Sequence, residues 1–218
     1  MSEPAGDLAT RAQAALGDAF LRKAVRFTAD RLRNAKDAGT AALGGWEAWR
    51  ERGEAVRRHV IAHLDVYLRQ FTERCTAAGG QVHFAADAAE ARAIFVAIAQ
   101  QAGARRLVKS KSMVTEEIHL NQHLEALGLQ CVETDLGEWI VQLAGETPSH
   151  IILSAIHKSR AQIRALFEQE GGQPLQSDTR TLAGHARTRL RAKFLAADLG
   201  ISGGNFLVAE TGTLVLVE

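Results

Sequence analysis

With 218 residues, 46% of them hydrophobic and 23% charged, the chain has the composition of an ordinary globular protein, which excludes wholesale disorder and leaves room for one sizeable α/β domain with an appended helical segment. The formal net charge of +1 gives no long-range field that would draw the whole chain to nucleic acid or to an anionic membrane, so a charged partner has to be met locally. Cys75 and Cys131 stand alone without CxxC spacing, which indicates neither a disulfide framework nor a cysteine-built metal site. The N-terminus lacks an uninterrupted apolar stretch of the signal-peptide kind and no run approaches the roughly 20 apolar residues of a membrane span, so the expectation is a cytoplasmic protein with no membrane span and no nucleic-acid partner.

From Asp18 to about Lys36, Phe20, Ala24, Phe27 and Leu32 recur at helical spacing between arginines. Gly39, Gly44 and Gly45 then interrupt, and a second helix is expected from about Trp46 to Ala78, with a break near Gly53. After Gly79-Gly80 the texture changes to short β-rich runs alternating with helical ones, the pattern of βα units around a largely parallel sheet. QVHFA, RRLVKS, LQCVET and PSHIILSA read as strands, with helices opened by Asp87, Ser112 and His157 between or after them. GEWIVQLA fits either a short helix or a strand, and Asp178 caps a long helix running to about Asp198. In the tail, NFLVAE and TLVLVE face each other across Thr211-Gly212 as a hairpin. Residues 1–78 are thus expected to be helical and 79–218 to be α/β; because the last run stops at Glu218 without a polar tail, the chain is expected to be part of a longer protein.

The stretch RLVKSKSMVTEE places Lys109, Ser110, Lys111 and Ser112 between a strand's carboxyl end and the start of the next helix, where open α/β sheets bind ligands. Two ammonium groups, hydroxyls and a helical first turn favour a phosphate or a carboxylate. Against this, Ser112 can simply cap the helix, the lysines can be solvated, and Glu116 and Glu117 would repel an anion. No Walker loop and no GxGxxG is present. Glu133, Asp135 and Glu138 concentrate carboxylates at another strand end and suit either a general base or a solvated turn. His157 occupies a similar position, as a proton-transfer group or a helix cap. HVIAH and HLNQH carry i,i+4 histidines but lack the HExxH glutamate, so no metal site is expected. Trp46 and Trp49 suit core packing or docking of another subunit. In the tail, SGGN and ETGT let backbone approach a ligand closely, with Asn205, Glu210, Thr211 and Thr213 supplying polar groups, or they are plain turns.

Taken together, KSKSMVTEEI, ETDLGEWIVQL, PSHIILSAIHKS, KFLAADLGISGGNF and AETGTLVLVE resemble the lactate-utilisation (LUD) domain family, in particular its iron–sulfur branch, and GGWEAWRERGEAVRRHVIAHLDVYL resembles that branch's leading segment. The resemblance implies an α/β fold similar to the ribose-5-phosphate isomerase, glucosamine-6-phosphate deaminase and CoA-transferase group. It also implies a part in oxidising L-lactate to pyruvate, as one component of a three-protein bacterial system. It places two [4Fe–4S] clusters in a ferredoxin-like segment beyond the position of Glu218, so no cofactor is expected in this chain. By motif position it implies an anion-binding turn of Lys109, Ser110, Lys111, Ser112 and Thr115. Gly203, Gly204, Asn205, Glu210, Thr211 and Gly212 would form a second wall of the same cleft, holding a small carboxylate or a phosphate-bearing ligand. Catalytic residues stay open, with Glu138, His157 and Glu210 as candidates. Two other readings remain: a non-redox isomerase or acyl-transfer enzyme working through Glu210 or Glu138, and an assembly module that docks partners through its helical N-terminus.

Overall fold

A computed structural model describes residues 7–217. The described chain divides into two compact units, one holding Ala85–Gly203 with the chain up to Phe27, the other holding Thr28–Phe84 with the chain from Gly204 onward. Four helices come first: α1 (Leu8–Gly17), α2 (Ala19–Leu43), α3 (Trp46–Ala62) and α4 (Leu64–Ala77). α2 runs through Gly39, and the expected break at Gly53 falls instead at His63. The cause is local: the His63 ring Nδ1 lies 2.9 Å from the His59 carbonyl oxygen and its backbone N–H turns to Val60, so the side chain competes for the helical acceptor.

In the first unit α5 (Ala88–Gln101) is capped by Asp87 and leads to β1 (Arg106–Lys109). α6 (Met113–Glu117) and α7 (Leu120–Ala126) follow, then β2 (Gln130–Glu133), α8 (Leu136–Ala144), α9 (Arg160–Gly171), α10 (Thr179–Ala196) and β3 (Leu199–Ile201). The strands form a parallel sheet in the order β2-β1-β3. The α/β class, with a mostly parallel sheet flanked by helices, is therefore as expected. On one face Leu107, Cys131 and Ile201 pack with Leu120 and Leu124 of α7. A second core is formed by Trp139 and Ile140 of α8, Phe167 of α9, and Leu182, Ala186 and Leu190 of α10.

Two expected strands, QVHFA and PSHIILSA, are absent, and GEWIVQLA takes the first of its two readings. GEWIVQLA is helical, with Asp135 accepting from the N–H groups of Gly137 and Glu138 and with Trp139, Ile140 and Val141 buried. QVHFA forms no strand; Phe84 is 59% exposed, so the run has no buried face to reward pairing. PSHIILSA is a series of bends, because its backbone polar groups are used elsewhere: His150 Nδ1 accepts from the N–H groups of Ile152 and Leu153, and Lys111 donates to the carbonyls of Ile151 and Ile152. The single helix expected from Ser112 to Leu127 is split at His119, whose φ is +52°. β3 was not anticipated; Asp198 anchors it by accepting from the backbone N–H groups of Arg105 and Arg106 and by pairing with the Arg106 guanidinium at 2.9 Å.

In the second unit β4 (Phe206–Val208) and β5 (Thr213–Val215) form the expected antiparallel hairpin, with Leu207 opposite Leu214; Glu218, at the end of the second run, lies outside the described residues. Gly212 takes a φ of +72°, and a Cβ there would come within 2.3 Å of the Cys75 backbone nitrogen, so the turn sits directly on α4 and only glycine suits it.

Candidate functional site

β1 and β2 end together, and their last residues are Lys109 and Glu133, opposite each other in the register. Both are buried, and Lys109 Nζ lies 2.8 Å from Glu133 Oε1. Lys109 also donates to Thr115 Oγ1 at 3.2 Å, and Asn121 Nδ2 donates to Glu133 Oε1 at 2.5 Å. Glu133 Oε2 has no hydrogen-bond partner among the described residues. Burial raises the Glu133 carboxyl above its ordinary range against the pull of Lys109.

One residue further, the Ser110 backbone N–H donates to the Ile201 carbonyl at 2.9 Å and its hydroxyl to Ser202 Oγ at 2.9 Å, joining the carboxyl ends of β1 and β3. Lys111 crosses to the start of α8: its Nζ is 3.0 Å from Glu138 Oε1, 3.8 Å from Asp135, 3.2 Å from Ser154 Oγ and 2.9 Å from the Ile152 carbonyl. Ser154 in turn donates to Glu138, which is buried. Ser112 caps α6, accepting from the Thr115 N–H, and the Thr115 hydroxyl donates to the Ser112 carbonyl at 2.8 Å. Gly203 closes against this turn so tightly that a Cβ would lie 2.9 Å from the Lys111 carbonyl oxygen.

Lys109, Ser110, Lys111, Ser112, Thr115 and Gly203 thus come together. Gly204, Asn205, Glu210, Thr211 and Gly212 belong to the second unit. There the Asn205 carboxamide accepts from the Val217 N–H at 2.7 Å, the Thr211 hydroxyl donates to Thr213 at 2.8 Å, and Glu210 is exposed. What residue order did not reveal is that the lysine turn and the ETDLGE carboxylates are one network. Glu133 answers Lys109, and Glu138 and Asp135 answer Lys111. The readable signal was that Lys109 and Glu133 each close a strand of a parallel pair.

Glu116 adds a further carboxylate. Burial, then the nearby Glu138 charge, raises its carboxyl, and its Oε1 is buried without a partner among the described residues. With Met113, Pro148, Ser149, His150 and Ile151 it lines a cavity of about 210 Å³. His157 meets one of these residues, its Nδ1 2.6 Å from Ser149 Oγ and its Nε2 2.7 Å from Glu146 Oε2. Among the described residues no group of three His, Cys, Asp or Glu is disposed to hold a metal ion. The two cysteines do not suit an iron–sulfur cluster, which needs several thiolates at close spacing: burial pushes the Cys131 thiol up to about 12, and Cys75 lies in the other unit.

The sequence profile of the LUD domain matches residues 68–218. The chain is similar to three proteins named lactate utilization protein B. That of Lysinibacillus sphaericus is 46% identical over 203 residues, covering 93% of this chain and 43% of the relative. That of Shouchella clausii is 44% identical over 208 residues, covering 95% and 44%. That of Anoxybacillus flavithermus is 43% identical over 213 residues, covering 97% and 45%. The chain therefore spans less than half the length of these curated relatives. No solved structure gives a significant match.

Proposed function

The chain belongs to the LUD domain family, and from that membership we propose that it takes part in oxidising L-lactate to pyruvate, as one component of a multi-protein bacterial lactate-utilisation system in the cytoplasm. In this reading residues 79–218 form the ligand-binding domain. Residues 1–78 form a helical segment that meets other proteins of the system; the exposed indoles of Trp46 and Trp49 support that role. The [4Fe–4S] clusters that accept the electrons are assigned to a part of the full-length protein beyond these residues.

One observation carries the ligand assignment. Lys111 stands at the carboxyl edge of the sheet with its side chain 26% exposed, whereas Lys109 is 1% exposed. Lys111 is therefore the ammonium group that a substrate carboxylate can reach, and Lys109 holds the turn in place through Glu133 and Thr115. Glu138, Ser154 and the Ile152 carbonyl fix the Lys111 side chain in its position before any ligand arrives. Ser110, Ser112 and Gly203 line the same turn. No helix among the described residues is long and apolar enough to cross a membrane.

The test is genetic. A lactate-grown bacterium lacking its own copy of the full-length gene is complemented with that gene carrying Lys111→Ala, or Lys109→Ala with Lys111→Ala. Loss of growth on L-lactate, with normal protein level and normal growth on glucose, is expected. Unimpaired growth on lactate by the double variant refutes the assignment.

A further inference from the structure

The loop between α8 and α9 holds a chain of four side chains that the lactate reading does not use. Glu146 is the fixed point: burial opposes its ionisation, but hydrogen bonds from Lys158 and His157 outweigh that and bring its carboxyl below the ordinary range. A carboxylate can only accept hydrogen bonds, so the proton between Glu146 Oε2 and His157 Nε2, 2.7 Å apart, belongs to the imidazole. Lys158 occupies the other Glu146 oxygen and holds the carboxylate in place. In the neutral ring Nδ1 then carries the lone pair, and it faces Ser149 Oγ at 2.6 Å, so the serine hydroxyl donates to it. A nucleophile bonded to a base whose tautomer is set by a third group is the arrangement that activates a hydroxyl for acyl transfer.

Access and space agree with this. Ser149 is exposed and opens onto the cavity of about 210 Å³ whose other walls are Met113, Glu116, Pro148, His150 and Ile151. The backbone N–H of His150, the residue after the serine, has no acceptor among the described residues and is available to an oxyanion. The His150 ring accepts from the N–H groups of Ile152 and Leu153 at 3.0 and 3.1 Å, bracing the loop. Burial and the Glu138 charge, which raise the Glu116 carboxyl on the wall of this cavity, disfavour an anionic group there as well.

We propose that Ser149 is a nucleophile, with His157 as its general base and Glu146 as the residue that positions the base, acting on small esters whose acyl group carries no negative charge. Ser149 Oγ bonds to the acyl carbon as its proton passes to His157 Nδ1. The bond to the leaving alkoxide breaks and that oxygen takes the proton, giving an alcohol and acyl-Ser149. Water then adds to the acyl carbon with the same imidazole as base and releases a carboxylic acid and the free serine. The sum is ester plus water to acid plus alcohol, with no change of oxidation state. The proposal stands apart from the lactate reading, since it rests on different residues.

The full chain is treated with 4-nitrophenyl acetate and, separately, with a fluorophosphonate probe, and read by nitrophenolate release, intact mass and peptide mapping. One adduct per chain is expected, located on Ser149 and absent from Ser149→Ala. Ser149→Cys should restore acylation, and His157→Gln should slow it by about 10²- to 10⁴-fold. Glu146→Gln should slow acylation while leaving the Ser149 site intact to peptide mapping, and circular dichroism confirms that each variant is folded. No adduct on the wild-type chain, an adduct on another residue, or an adduct that persists in Ser149→Ala overturns the proposal.

Discussion

Lys109 and Glu133 form an ion pair whose side chains are 1% and 6% exposed, which makes the pair costly to break and cheap to replace. Removing one partner strands a charge in the interior, so Lys109→Met and Glu133→Gln should each lower the unfolding free energy by about 3–5 kcal/mol, and the double variant should lose less than either single one. Urea unfolding of the three variants checks this; additive losses would contradict it. The pH dependence follows from the raised Glu133 carboxyl. A carboxyl whose folded pKa lies above its unfolded value favours the folded state below the unfolded value, and that benefit is lost as pH rises through the folded value. Without Lys109 the folded value rises further, so Lys109→Met should recover stability relative to wild type when acidified from neutrality toward the ordinary glutamate range. The Lys-Ser run and the acidic ETDLGE run were both visible in residue order. Their pairing was not, because it depends on the register of two strands 24 positions apart, from Lys109 to Glu133.

Among the elements, the turn after β3 shows how little free space the site leaves. A methyl group on Gly203 would meet the Lys111 carbonyl oxygen at 2.9 Å and the Ser112 Cα and Cβ at 3.2 Å, and backbone cannot yield as a flexible side chain would. Gly203→Ala should therefore cost about 1–3 kcal/mol. Gly200→Ala meets nothing within 4 Å on the neighbouring strand and should be neutral or stabilise by about 0.4–1 kcal/mol. Thermal melts of the two variants check the contrast, and equal effects would refute it. The elements legible in the sequence were those whose own residues supply the stop and start signals: Asp87, Ser112 and Asp178 cap helices as expected, and Thr211-Gly212 turns the hairpin. PSHIILSA was misread as a strand because β-rich composition says nothing of where backbone groups bond, and here His150 and Lys111 take them. DLGI was passed over for the opposite reason: β3 owes its place to Asp198 reaching the backbone of Arg105 and Arg106, a contact across 92 and 93 positions.

Over the whole molecule, burial is concentrated in the α/β part. None of the residues of α1, α2 or α3 is buried, and α4 buries only Phe71, while Leu107, Leu120, Leu124, Trp139 and Phe167 are at most 2% exposed. Helical periodicity located the apolar faces of the first helices correctly as faces, yet Phe20, Phe27 and Leu32 are 49%, 67% and 39% exposed. Periodicity reports which side of a helix is apolar, and burial depends on what packs there. Local stability follows burial, since a helix held only by its own hydrogen bonds opens without disturbing a core elsewhere. In hydrogen–deuterium exchange read by mass spectrometry, peptides from α2 and α3 should therefore exchange by local opening, long before those of β1, β2 and α8. The β1 amides should exchange only with global unfolding, a difference of several kcal/mol in opening free energy, roughly 5 or more. Phe167→Ala, which empties part of the core around Trp139, should lower protection in α8–α10 by about 3–5 kcal/mol and leave exchange in α3 unchanged. Protection of Trp46–Ala62 equal to that of β1 would show that the exposed face of α3 is covered in solution, and repeating the exchange at two protein concentrations identifies whether a second copy covers it.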